Sequence, residues 1–380
     1  MCTRALLAVC PLVPIFVGAS LSLAHPSPAR TASTPSGANR SGADEIIHWQ
    51  RNRHALDHIP STLPRETRAV IERYGKWAEE NEYQLHLTDE GDVVLLVRGS
   101  KRPKSEMRLI EEADAYLDSL LATEETDGAS EKDTQPLVLI QARSQKDYNS
   151  LVDHVVAMES YLTSWSRSGK RDSGFVLQKP LCAAWMEDPP GVEEWSPENE
   201  LVHRMARLRL LRSFGQLPNW VTLGVAWVAE DTLRRGIYCF PYRDSFVGVS
   251  EHSSWSKTLK QRNKKQAHVD FALVSGWQRG TWDQDAAHYA FGVIRFFERA
   301  FPGSLTPFLT ELRETYEEKR LEHFADGTWK INTSYEVSHE DQTMLLEATF
   351  GDSVFSDMAS FFKKGMPTAK LKKKKKTTRR

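Results

Sequence analysis

The sequence predicts an α+β protein, with a strand-rich N-terminal part feeding a helical second half. Three observations carry this. Short β-branched and apolar runs at Val93–Val97 and Pro136–Ala142 (PLVLIQA) read as buried strands. Helix-period segments alternate with them early in the chain. From Ser196 onward helical patterns dominate, which is the order of an α+β chain rather than of a repeating βα unit.

In chain order, Glu66–Glu80 has the apolar spacing of an amphipathic helix. Gln84–Leu87 and Val93–Val97 flank Thr88-Asp89-Glu90-Gly91-Asp92, a hairpin signal with glycine where positive φ is wanted. Met107–Ala122 is a second amphipathic helix, and the acidic stretch Thr123–Gln135 a connector. A helix over Tyr148–Trp165 follows the Pro136–Ala142 strand, and Phe175–Trp185 holds at least one more strand.

Ser196-Pro197 starts the next helix: serine caps free backbone N–H groups, and proline at the first helical position loses no hydrogen bond. Glu198 and Glu200 suit the positive end of the helix dipole, Arg209 and Arg212 the negative end, and Gly215 is a terminator. After Gln216-Leu217-Pro218 a second helix spans Asn219 to about Asp231. Further helices are predicted at Ala286–Ala300 and Leu305–Lys319. Leu201, Met205 and Leu208 form one stripe, while Asn199, His203, Ala206 and Leu210 lie on another face. Apolar residues on both faces describe a buried central helix.

Charge and leader sequence bound the function. The 380 residues carry a formal net charge of -1, but residues 363–380 hold ten Lys/Arg and no acid. The first 362 residues therefore carry 40 basic against 51 acidic groups, a net of -11, which excludes a generally basic nucleic-acid-coating fold. Residues 1–24 read as a signal peptide: Arg4 precedes an uncharged run, and Ser22-Leu23-Ala24 suits cleavage before His25. The predicted location is periplasmic or extracellular, with an uncleaved N-terminal anchor as the alternative. Residues 25–44 form a Pro/Ser/Ala/Gly-rich leader. Cleavage would remove Cys2 and Cys10, leaving Cys182 and Cys239 as one optional pair.

The segment PENELVHRMARLRLLRSFGQLPNWVTLGVAWVAED, residues 197–231, carries the functional signal. It resembles the core of the gluzincin metallopeptidases, the thermolysin-like clan. Two His four residues apart on one helix face grip zinc there, and the Glu between them activates the bound water. A Glu on the following helix is the third ligand. The resemblance rests on the L-P-x-W-V-x-x-G-V-A frame and extends weakly to Asp285–Phe297 and to Ala348–Gly351. It implies a boundary near residue 136, with an N-terminal α/β region over 45–135 and a gluzincin-like domain over 136–362.

This chain keeps that frame and loses its ligands. Asn199 occupies the first His position and Leu223, twenty residues after His203, the third-ligand position. His203 is the one retained ligand position, and Glu200 stands at the general-base position. Asn is a poor replacement for imidazole and Leu offers no donor. Without the metal, bound water is not acidified from about 16 towards about 7. The resemblance thus implies an inactive Glu200, an empty metal position at His203 and no cofactor.

The expectation is an exported pseudopeptidase whose cleft, with Gly224 in its wall, binds a polypeptide ligand without cutting it. The alternatives are a zinc-dependent hydrolase with non-standard ligands and a structural envelope protein. His339-Glu340 begins a second His-Glu, but Thr343 replaces the second His, and it reads as a polar helix start. Cys182 has no Cys/His motif around it, and Tyr238–Tyr242 is aromatic strand or loop. The tail over 363–380, ending in Lys372–Arg380, reads as a solvated, disordered segment suited to an anionic surface or polymer.

Overall fold

The computed structural model describes residues 59–99, 103–121, 135–191, 194–239, 254–279, 281–324, 328–332 and 334–367. The predicted signal, the leader and residues 368–380 lie outside them, as does most of the acidic connector. Among the described residues no helix is long and apolar enough to cross a membrane. The architecture is α+β. The described residues form two compact units, one made of those within 59–103, 135–190 and 318–336, the other of those within 104–121, 191–317 and 337–367.

The first unit holds a five-stranded sheet in the order β1-β2-β3-β5-β4. After helix α1 (Arg65–Glu80) come β1 (Tyr83–Leu87) and β2 (Val93–Arg98), an antiparallel hairpin. Its turn uses Gly91 at φ 70, where a side chain would be strained. Thr88 Oγ1 closes the turn by donating to Asp92 Oδ1 at 2.7 Å and accepting from Val93 N at 3.1 Å. Helix α2 (Lys104–Leu121) follows in sequence but belongs to the second unit.

Strand β3 (Leu137–Ala142) runs parallel to β2, and β5 (Cys182–Met186) parallel to β3. Parallel neighbours need a crossover, and α3 (Gln145–Met158) and the short α4 (Ser166–Gly169) lie in the β3-to-β5 connection. The predicted helix over Tyr148–Trp165 starts three residues earlier, at a Ser144 cap, and ends at Met158. Strand β4 (Gly174–Leu177) pairs antiparallel to β5, so the Phe175–Trp185 stretch is two strands. One sheet face (Leu85, Leu87, Val94, Leu96, Val138, Ile140) packs on Ile71, Tyr74, Trp77, Tyr148, Leu151 and Val155 of α1 and α3. On the opposite face Val93, Leu95, Leu137, Leu139 and Trp185 are also buried, so these strands read as continuous apolar runs.

The second unit is helical: α2, then α5 (Pro197–Phe214), α6 (Asn219–Arg234), α7 (Trp255–Arg262), α8 (Phe271–Ser275), α9 (Gln284–Ala300), α10 (Leu305–Lys319), α11 (His339–Phe350) and α12 (Val354–Lys363). A hairpin, β6 (Leu321–His323) with β7 (Trp329–Ile331), follows α10 and belongs to the first unit. The units divide the chain differently from a boundary at 136. The strands β3, β5 and β4 lie with β1 and β2, and α2 lies with the helices. Its Asp118 and Asp114 meet Arg209 of α5 at 2.6 and 3.7 Å.

The α5 start is as the sequence predicts: Ser196 Oγ accepts from Asn199 N, Pro197 opens the helix, and Gly215 ends it at φ 67. Residues 223–230 of α6 are all buried, because α5 packs on one side of it and α9 on another. Trp220 Nε1 donates to Gln342 Oε1 at 2.7 Å, which ties the frame tryptophan to α11. The His339 region is therefore a helix start, capped by Ser338, with His339 Nδ1 2.5 Å from Ser275 Oγ. Phe350 stacks on Phe297 with ring centroids 4.3 Å apart. The fold runs past residue 363, since Met366 is buried and its carbonyl accepts from Arg299. A tail cut at 363 would remove part of the packed unit.

Gly224 is not in the wall of a cleft. A Cβ there would stand 2.7 Å from the backbone oxygen of Ala290 and 2.8 Å from Ile294 Cγ1, so its missing side chain lets α6 and α9 touch. Backbone cannot swing aside as a side-chain tip can. Gly224→Ala is expected to destabilise the protein by about 1–3 kcal/mol through overpacking, despite alanine's better helix propensity. Urea unfolding of the two proteins measures this, and an unchanged or raised midpoint would contradict the contact.

Candidate functional site

The start of α5 and the end of α6 meet at a buried polar cluster. The two helices are joined by residues 215–218 and run antiparallel, so residues equally far from the turn come level. His203 is level with Glu230. The structure therefore brings Asn199 and His203 together with Glu230, a residue that the sequence reading did not single out.

Glu230 is fully buried. Its Oε2 accepts from Asn199 Nδ2 at 2.9 Å, from Tyr238 N at 2.8 Å and from Cys239 N at 3.2 Å. Its Oε1 lies 2.8 Å from His203 Nδ1. Asn199 Nδ2 also donates to the Gly236 carbonyl at 2.7 Å, and Trp227 Nε1 donates to the Cys239 carbonyl at 2.6 Å. The segment Gly236–Cys239, which follows the left-handed Arg235 that ends α6, is thus held to both helices.

Glu200 is also buried, and its Oε2 accepts from Arg204 Nε at 3.0 Å and Nη2 at 2.7 Å. One turn apart on α5, the two form an internal ion pair. Leu223 does not join this cluster. It is buried on α6 seven residues before Glu230, about 10.5 Å along the helix axis. Cys239 is buried beside both carboxyl groups, and Cys182 is buried in β5. Both are free thiols, so the optional pair does not form.

Burial governs the ionisation of the cluster. It raises Glu230 to about 8, although the donors from Tyr238, Asn199 and Cys239 pull the other way. Burial holds His203 well below its ordinary value, with the Arg204 and Arg207 charges adding to the effect. The Cys239 thiol is pushed up by burial and by the Glu200 and Glu230 charges, so it is no nucleophile. Because Oε2 already takes three N–H donors, a proton on Glu230 sits on Oε1 and points at His203 Nδ1. Imidazole then accepts it.

Zinc chemistry can be tested against these residues. At the expected ligand positions stand an amide, an imidazole and a leucine with no donor atom, which do not make a set. A different group exists: ligand atoms of His203, Glu230 and Cys239 all lie within 4.8 Å of one another. Two of these atoms, Nδ1 and Oε1, are already engaged with each other at 2.8 Å. No protein-family model matches the chain, and no curated protein matches it in sequence.

The signal that would have found Glu230 was present. It is an acid directly after the apolar run Leu223–Ala229, two turns beyond Leu223 on the same face, and level with His203 once the turn at 215–218 is used as the fold line.

The cluster predicts a pH dependence. Glu230 has a raised folded value, so between about 4.5 and 8 the folded protein keeps a proton that the unfolded chain releases. Its stabilising contribution is present below 4.5 and lost as pH rises through 8. His203 has a lowered value, so its contribution is present above 6.5 and lost as pH falls. The two trends oppose each other from 4.5 to 6.5, and the net loss runs from 6.5 to 8. Urea unfolding should show the wild type losing stability relative to Glu230→Gln between pH 6.5 and 8.5. A difference independent of pH would refute the assignment.

Proposed function

We propose that the chain is an exported, non-catalytic protein on a degenerate gluzincin-like scaffold, a pseudopeptidase that holds a polypeptide rather than cutting it. One observation carries the non-catalytic part: a protein carboxyl group, Glu230, joins Asn199 to His203. Hydrolysis by this clan's chemistry needs an ion there with a position open to water. Glu200, at the general-base position, has its Oε2 engaged twice by Arg204 instead of facing a water. Two N–H donors on Oε2 commit that oxygen to Arg204, which supports the non-catalytic reading.

One observation favours a second reading, a metal-dependent hydrolase with non-standard ligands. His203, Glu230 and Cys239 are donors of types that zinc accepts, and they are clustered. The two readings part in an assay of the purified, signal-cleaved protein on a mixed peptide library, with and without added zinc. No cleavage is expected in either condition. Zinc-dependent cleavage that disappears in Glu200→Gln would establish the hydrolase. The same library, immobilised, tests polypeptide binding, which is expected to persist with chelator present.

A further inference from the structure

In a metallopeptidase of the zinc type, the ion does mechanical as well as chemical work: it ties side chains from successive helices to one point, and its binding energy is folding energy. This chain cannot make that tie at the expected positions, where Asn199 and Leu223 stand. Yet its two helices are joined at the level of His203, through a side chain.

We propose that Glu230 is a positioning residue that takes the ion's place as the tie, fixing α5, α6 and the segment Gly236–Cys239 to one another without metal. The inference rests on the non-catalytic reading of the site. Four contacts carry it. Oε2 takes N–H groups from Asn199 on α5 and from Tyr238 and Cys239 on the following segment, while Oε1 meets His203. One carboxyl group on α6 thereby holds two other stretches of chain, as a multivalent ion would. Asn199 completes the loop by donating also to Gly236 O. Asparagine suits this task better than histidine, because one amide nitrogen supplies two donors to two acceptors.

The same contacts argue against an ion using His203, Glu230 and Cys239. At 2.8 Å, Nδ1 and Oε1 are at hydrogen-bond separation, closer than two ligands of one zinc stand. Drawing the carboxylate onto a metal would also take the acceptor from the buried N–H groups of Asn199 and Cys239.

The tie has a local readout, since Cys239 sits at the end of the held segment and is 2% exposed, whereas Cys182 lies in the sheet of the other unit at 0%. The test is the rate of modification of each cysteine by a maleimide under native conditions, read peptide by peptide by mass spectrometry. Glu230→Ala should speed modification of Cys239 by about a hundredfold by favouring local opening, with Cys182 unchanged. Glu230→Gln should stay within about threefold of wild type, because its oxygen can accept the segment's N–H groups while its amide donates to His203. Added zinc or excess chelator should leave the wild-type rates as they are.

Protection of Cys239 that survives Glu230→Ala would overturn the tie. So would both cysteines becoming reactive together, Glu230→Gln behaving like Glu230→Ala, or zinc slowing the modification of Cys239. Peptide hydrolysis by the wild type would remove the non-catalytic reading, yet with these rates unchanged the tie would stand.

Discussion

The arrangement of the helical unit depends on one buried carboxyl group satisfied from several directions. An acid removed from water is strongly unfavourable unless its oxygens find partners, and Glu230 finds N–H donors on Asn199 of α5 and on the following segment, while Oε1 meets the His203 imidazole, also on α5. None of these partners is local on α6. The carboxyl group therefore cannot be satisfied unless α5, α6 and residues 236–239 are all in place. A network of this kind specifies one arrangement because partial formation leaves buried groups unpaired.

The close approach of α6 to α9 is a second constraint, and it works through absence. Gly224 lets backbone meet backbone, with Ala290 O 2.7 Å from where a Cβ would stand. Arg295 on the same α9 is buried and is shared among Thr232, Glu298, Asp231 and the Val228 carbonyl. The α6–α9 contact thus has a tight apolar part at Gly224 and a polar clamp two turns later, near the level of Glu230. Helix α6 is held on both sides, which explains why its burial runs unbroken from Leu223 to Glu230.

Much of this was legible in the sequence where local chemistry decides it. Ser196, Pro197 and Gly215 mark α5 because caps and breakers act within a few residues, and Leu305–Lys319 is helical to the residue. The hairpin at Gly91 was readable for the same reason. Membership of the two units was not, since α2 has an apolar stripe that fits a sheet or another helix equally well. Only its contact with Arg209 and its neighbours decides. Glu230 was missed because counting from His203 by a family spacing points to Leu223. The length of α5 matters more: it continues eleven residues past His203, and this carries the level position two turns further along α6.

The polar residues at this site are satisfied by one another. Active sites tend to keep groups perturbed and short of partners, so that substrate or solvent completes them. Here Asn199, Glu200 and His203 are each answered from within. Asn199 has its cap partner Ser196, the Gly236 carbonyl and Glu230. Glu200 has Arg204, and His203 has Glu230. The perturbed ionisation of Glu230 follows from burial and is shared with His203, so the proton it holds belongs to the fold. Polar residues that have become each other's partners in this way hold the fold together, which is the role the proposed reading gives them.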